Sequence, residues 1–150
     1  SDVLDLNWVQ LMNAYSCTEC GRCSSECPAN QTGKKLSPRK VRMDTRDRLE
    51  KVSINISKNK GNFVDDGDRL LDNYISKEEL WACTSCNACV DACPINIDPL
   101  SIIMDMRQYL IMEESSAHPD LNNMMNNIEN NGAPWPYNQL DRELWVQETQ

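Results

Sequence analysis

Cys17-Thr-Glu-Cys20-Gly-Arg-Cys23-Ser-Ser-Glu-Cys27-Pro28 is matched further along the chain by Cys83-Thr-Ser-Cys86-Asn-Ala-Cys89-Val-Asp-Ala-Cys93-Pro94. Both stretches read C-x2-C-x2-C-x3-C-P, and together they hold all 8 cysteines of the 150-residue chain. Three thiols spaced two residues apart can curl one loop around three corners of an iron-sulfur cube, leaving the fourth corner to be filled from elsewhere. Such crowding points to metal in a reducing compartment rather than to the dispersed cysteines of a small secreted scaffold. The competing readings are a pair of zinc ions in a cross-braced domain and a disulfide framework. Zinc sites usually pair two knuckles separated by about a dozen residues or more, whereas the third thiol here follows after two. Neither competitor explains the proline after each fourth cysteine. The expected cofactors are therefore two [4Fe-4S] clusters.

Working outward, 15 basic and 23 acidic residues give a net charge of -8 and a pI near 4.6. Affinity for nucleic acid depends on cations that displace phosphate counterions, so no nucleic acid is expected as the main partner. No run of apolar residues exceeds four, so neither a membrane span nor a signal-peptide core is expected. The expected location is cytoplasmic. A first residue of Ser1 rather than Met leads us to expect a processed product or a piece of something longer.

The remaining sequence predicts an all-α fold arranged around the two thiol loops, with a single domain over residues 1–150. Leu4, Trp8, Leu11, Met12 and Tyr15 recur at helical spacing and predict a packing helix over 1–16, leading into the first loop at 17–28. A helical insert over 29–82 follows. Within it, Ser37-Pro38 opens a helix to about residue 50, 52–68 reads as a loop, 68–74 as a short helix, and Ser76 to Glu79 as a capping box. After the second loop at 83–94, residues 95–150 hold a helix opened by Asp98-Pro99, another from Pro119 that stops at Gly132, and a wrapping tail.

The chain resembles a group of iron-sulfur subunits and domains: the small iron-sulfur subunit of heterodisulfide reductase, the small subunit of anaerobic glycerol-3-phosphate dehydrogenase and the iron-sulfur protein of succinate dehydrogenase. The resemblance rests on the paired motifs, the wide helical insert, Asp98-Pro99, and Asn127-Ile128-Glu129-Asn130-Asn131-Gly132-Ala133-Pro134-Trp135. It implies an α-helical ferredoxin, with partners that are redox proteins or fused domains, among them a membrane cytochrome-like part at the cytoplasmic face of a membrane. In two-cluster ferredoxins the fourth cysteine of each run ligates the other cluster. Carried over, one cluster takes Cys17, Cys20, Cys23 and Cys93, and the other takes Cys83, Cys86, Cys89 and Cys27. The downstream C-C-G domain of many relatives does not occur in this sequence. With every thiol assigned, and no dinucleotide fingerprint or Ser/His/Asp set, no catalytic residue and no small-molecule substrate site are expected here. The expected function is an electron-transfer module that relays single electrons within a larger oxidoreductase. The alternative is a structural metal domain that uses a basic helix for partner or nucleic-acid binding.

Residues 33–60 carry ten Lys or Arg against Asp44, Asp47 and Glu50, a run that fits either a docking face or a solvated helix. Arg22 lies between Cys20 and Cys23 where the second run has Ala88, so the Cys17 cluster is expected to have the higher potential. His118, the lone histidine, reads as a surface residue, and no haem is expected. Met104, Met106, Met112, Met124 and Met125 read as core packing, and Trp135, Pro136 and Tyr137 as residues that pack the tail.

Overall fold

The computed structural model describes residues 1–148, and the last two residues of the predicted tail lie outside the described residues. The fold is all-α, with no strand among the described residues. Two compact units span Ser1–Tyr109 and Leu110–Gln150. The first carries α1 (Trp8–Ser16), α2 (Arg22–Ser25), α3 (Pro28–Gln31), α4 (Pro38–Lys58), α5 (Lys77–Ala82), α6 (Ala88–Asp91) and most of α7 (Leu100–Met112). The second carries α8 (Pro119–Asn131) and α9 (Leu144–Glu148).

The first unit repeats one plan twice: a capped lead helix, a thiol loop, then a helix opened by a polar cap. At the start of α1 the Asn7 side chain accepts from the Gln10 N–H, and Gln10 Oε1 accepts from the Asn7 N–H. At α5 the predicted box forms, Ser76 Oγ accepting from the Glu79 N–H while the Glu79 carboxylate accepts from the Ser76 N–H. Ser37 caps α4, and Asp98 Oδ1 accepts from the N–H groups of Leu100 and Ser101 at 2.7 and 3.2 Å to cap α7. Each lead helix ends directly at the first cysteine of its loop, Cys17 or Cys83, where the chain turns extended. Val41, Val52, Leu71, Leu80, Ile102 and Ile103 are among the buried residues that join these helices into a core.

Three local expectations are corrected. The helix opened by Ser37-Pro38 runs to Lys58, because Val52 is buried and the chain does not turn until Gly61, whose N–H closes on the Ile56 carbonyl at φ 94°. Residues 68–74 form an irregular turn rather than a helix, since Leu71 is extended and Asp72 left-handed at φ 75°. The apolar stripe of the leading segment does not pack: Leu4, Trp8, Met12 and Tyr15 are each at least half exposed, and α1 instead buries Gln10 and Ala14. Gln10 donates through Nε2 to Asp105 Oδ2 at 2.6 Å, which ties α1 to α7 by a polar contact that apolar periodicity cannot reveal.

Part of the basic run is turned inward: Arg42 and Arg48 are buried and Lys40 and Arg46 half-buried, while Lys34, Lys35, Arg39, Lys51, Lys58 and Lys60 are exposed. Lys40 reaches Asp44 and Glu79, Arg46 reaches Glu19, and Lys51 lies over the Tyr74 ring. Arg48 has a fully buried side chain and binds two carboxylates at once, Asp2 at 2.6–3.1 Å and Asp66 at 2.7–2.9 Å, with a further bond to the Asp68 carbonyl. The guanidinium holds Asp66 below the usual carboxylate range. This one side chain fastens the N-terminus and the 66–68 loop to α4. Arg48→Ala leaves two carboxylates facing each other without their cation, and is expected to cost ~3–5 kcal/mol in chemical denaturation; a loss below about 1 kcal/mol, the level of a surface ion pair, would show that the staple is not structural.

In the second unit α8 begins at His118-Pro119 and ends at Gly132, which takes φ 67° and closes on the Ile128 carbonyl. His118 lies exposed at that helix start, its Nδ1 accepting from the Asp120 N–H. Trp135 and Tyr137 are more than half exposed, and of the five methionines only Met106 is buried. Both departures have one cause: a sequence pattern sets which residues share a face, not whether another surface covers that face.

Candidate metal centre

The two thiol loops bend inward by the same backbone device. Glu19 and Gly21 in the first, and Ser85 and Asn87 in the second, take φ of 57°, 82°, 56° and 61°. Left-handed residues alternating with ordinary ones turn successive N–H groups toward the hollow of a loop, which suits an anion held there. Gly21 adopts this freely, whereas an ordinary residue in that region costs roughly 1–2 kcal/mol, which a bound group can offset.

The short helices α2 and α6, one from each loop, pack against one another. They carry the third thiols, Cys23 and Cys89, at the middle of the arrangement, and the chain leaves each of them at its fourth thiol. One cavity is lined by Cys17, Cys20, Cys23 and Cys93, with Cys89 also on its wall. A second is lined by Cys27, Cys83, Cys86 and Cys89. Every cysteine named from the sequence thus lies on one of two cavities, and each fourth thiol stands with the other run. All eight are free thiols, with Cys27 buried and Cys20 and Cys86 exposed.

Backbone N–H groups already serve some of these sulfurs: Ser85 donates to Cys83 Sγ at 3.4 Å and Ile97 to Cys93 Sγ at 3.3 Å. Burial pushes the Cys89 thiol up to about 11, reinforced by the charges of Cys83 and Cys27, and burial likewise raises Cys23. Cys86 is lowered, chiefly by a hydrogen bond from the Thr84 side chain. Cys23 and Cys89 hold their protons until a cation replaces them, so metal uptake here is coupled to proton release.

Sequence reasoning missed two arginines and misplaced a third. Arg107, on α7, donates to the carbonyls of Leu80 and Cys83 and to Ser85 Oγ, and stacks on Trp81, clamping the entry to the second loop. Arg42, on α4, donates to the Asn13 carbonyl at 3.2 Å just ahead of the first loop, and lines the first cavity. Arg22 is exposed and lines a groove with Ser25, Glu26, Ala88, Asp91 and Ala92, away from the thiols. The available clue was the repeat itself, because Arg42 and Arg107 follow their fourth cysteines at nearly equal distance.

The donor set fits a multi-atom cluster. Each cavity offers a cubane four thiols, one for each iron, with Cys89 a fifth on the wall of the first, and among the described residues no three His, Cys, Asp or Glu converge as on a single bare ion. Residues 16–97, more than half of the chain and both thiol loops, match the family model described as a 4Fe-4S dicluster domain. The chain belongs to this family. It is 34% identical, over 96% of its length, to the probable iron-sulfur-binding oxidoreductase FadF of Bacillus subtilis (strain 168), of which it covers 24%. It is 27% identical over 98% of its length to the EtfAB:quinone oxidoreductase of Syntrophomonas wolfei, of which it covers 23%. It is 27% identical over 68% of its length to a CoB–CoM heterodisulfide reductase iron-sulfur subunit of Methanocaldococcus jannaschii, covering 42% of that protein. The chain therefore spans about a quarter of the length of the first two relatives. Its cofactors are two [4Fe-4S] clusters, and it is an iron-sulfur electron-transfer module of the kind found in oxidoreductases.

Proposed function

We propose that this dicluster domain relays electrons one at a time between partners of a larger oxidoreductase, through clusters whose ligands are crossed between the two halves. Cys17, Cys20, Cys23 and Cys93 hold the first cluster; Cys83, Cys86, Cys89 and Cys27 hold the second. The observation that carries this reading is the lining of the two cavities: Cys17, Cys20, Cys23 and Cys93 on the first, Cys27, Cys83 and Cys86 on the second, and Cys89 on both. When bound, each cluster supplies a one-electron couple. The chain's part is to hold the clusters side by side, to cover them with Leu36, Pro38, Ile97 and Ile103, and to leave Cys20 and Cys86 at the surface as the nearest approach for a partner on each side. One electron leaves a reduced donor and one arrives at an oxidised acceptor, with no atom transferred.

The quinone named for the Syntrophomonas relative supports a quinone-linked acceptor for this chain. Quinones dissolve in lipid, and no helix among the described residues is long and apolar enough to cross a membrane. The proposal keeps the domain at the cytoplasmic face of a membrane, as the family resemblance implies, delivering electrons to a fused or bound membrane part. Of the basic run, Lys40, Arg46 and Arg48 are paired with carboxylates of the fold, which leaves any docking face to the exposed Lys34, Lys35, Arg39, Lys51, Lys58 and Lys60.

Anaerobic reductive titration of reconstituted protein tests the relay. Uptake of about two electrons per chain is expected, with EPR signals that broaden by mutual coupling once both clusters are reduced. Two signals that never interact would remove the side-by-side arrangement, and uptake of no electrons would remove the relay itself.

A further inference from the structure

The two halves repeat one another closely, but their cavities differ in charge. The second is walled by Pro28, Leu36, Pro38, Leu100 and Ile103, with Thr84 and Asn87 its only uncharged polar side chains and no charged side chain besides its thiols. The first is lined by Arg39, Arg42 and Glu19. Glu19 is answered by Arg46 at 2.7 Å, and Arg39 is exposed, so water screens it. Arg42 is different: it is 2% exposed, and a guanidinium stays charged even when buried.

The corresponding arginine of the other half, Arg107, is only half-buried and does not line the second cavity, and its Nε, Nη1 and Nη2 all donate to Leu80, Ser85 and Cys83. Arg42 gives Nη1 to the Asn13 carbonyl, while its Nη2 is buried and has no hydrogen-bond partner among the described residues. A buried unpaired N–H on a cation is costly, and native folds seldom leave one without a purpose. Arg42 shares the lining of the first cavity with Cys17, Cys23 and Cys93, and Asp98 is the carboxylate that acts on it. Asp98 already has Oδ1 occupied by the cap of α7.

We propose that Arg42 is the positioning residue that raises the potential of the first cluster above that of the second, by donating its Nη2 N–H to sulfur in the first cavity and placing an unscreened positive charge there. The inference rests on the ligand sets proposed above. Reduction adds a negative charge to a cluster, so a buried cation beside it favours the reduced form, and a hydrogen bond to sulfur acts in the same direction. The first cluster then holds an arriving electron longest, and the second, in its uncharged cavity, is the higher step that an electron climbs to reach a partner on that side.

The test is an EPR-monitored redox titration of the reconstituted chain, comparing wild type, Arg42→Met and Arg42→Lys, with Cys27→Ser used to tell the two signals apart. Arg42→Met is expected to disfavour reduction of the signal that survives in Cys27→Ser by about tenfold or more, ~59 mV for a one-electron couple, and to leave the other signal nearly unmoved. Arg42→Lys should restore much of the shift, which a merely structural role would not do. No movement of either signal in a variant with its full iron content overturns the inference and leaves the relay standing. Movement confined to the signal that Cys27→Ser abolishes overturns the ligand assignment as well, and wild-type protein that takes up no iron overturns the relay and the inference together. Growth with 15N-arginine gives a measurement that leaves Arg42 itself unaltered: a nitrogen hyperfine coupling to the reduced first cluster that persists in Arg39→Gln supports the contact, and its absence overturns it.

Discussion

Cys27→Ser is expected to strip the iron held by Cys83, Cys86 and Cys89 while sparing the site built on Cys17, although Cys27 belongs to the first run. Cys27 is buried and lines only the second cavity, where it stands with the three thiols of the distant loop. A hydroxyl in place of that thiolate leaves one iron without its soft ligand, and a cubane that loses a corner ligand is prone to degrade. Iron and acid-labile sulfide should fall by roughly half, from about eight irons per chain to about four, with one EPR signal lost. Cys93→Ser should produce the mirror result, erasing the other signal. Damage by Cys27→Ser at the Cys17 site instead would mean that each run closes its own cluster, and the crossed assignment would be discarded.

Removing both clusters is expected to destabilise the first unit strongly. With the crossed ligation proposed above, Cys27 is tied to the second loop and Cys93 to the first, and the clusters would close residues 28–82 into a loop pinned at both ends. Opening a cross-link around a loop of that size releases about 3–4 kcal/mol of constraint on the unfolded chain, before any loss of metal-ligand energy is counted. The left-handed Glu19, Ser85 and Asn87 would also lose the bound group that offsets their strain. Treatment with a chelator and oxidant under oxygen-free conditions should lower the thermal midpoint followed by circular dichroism by about 10–20 °C. Amide exchange should quicken first in residues 17–28 and 83–94, where short helices have little core of their own. Protection in α4 should outlast it, because Arg48, Val41 and Val52 are buried without help from metal. An unchanged midpoint would show that the apolar core and the Arg48 staple carry the fold alone.

Much of this protein is legible in its residues alone. Thiol spacing is chemistry written locally: three thiolates two residues apart can meet one cluster wherever the loop lies, so the cofactor and the relay role follow from residues 17–28 and 83–94. Helix starts are equally readable at Ser37, Ser76 and Asp98, because a cap is a bond between residues two or three apart. Legibility ends where a side chain's meaning depends on distant partners. Arg48 and Arg46 look like members of an exposed basic run and are internal ion-pair partners, and the apolar stripe of α1 faces outward.

The arginines beside the thiols mark the boundary most clearly. Arg22 directly precedes Cys23 and follows Cys20 by two residues, yet it turns away from both, because the first turn of α2 directs it to the outer groove. Arg42 lies far along the chain, yet the packing of α4 against α1 and α2 brings it to the first cavity. The sequence by itself determined the thiol inventory, the helical class and the two-fold plan, since each depends on contacts within a few residues. Tertiary structure alone decided which cation is buried without water to screen it, and it brought each fourth thiol beside the other run, a pairing that the sequence reached only by resemblance, since both depend on how separate helices pack and on the solvent that packing excludes.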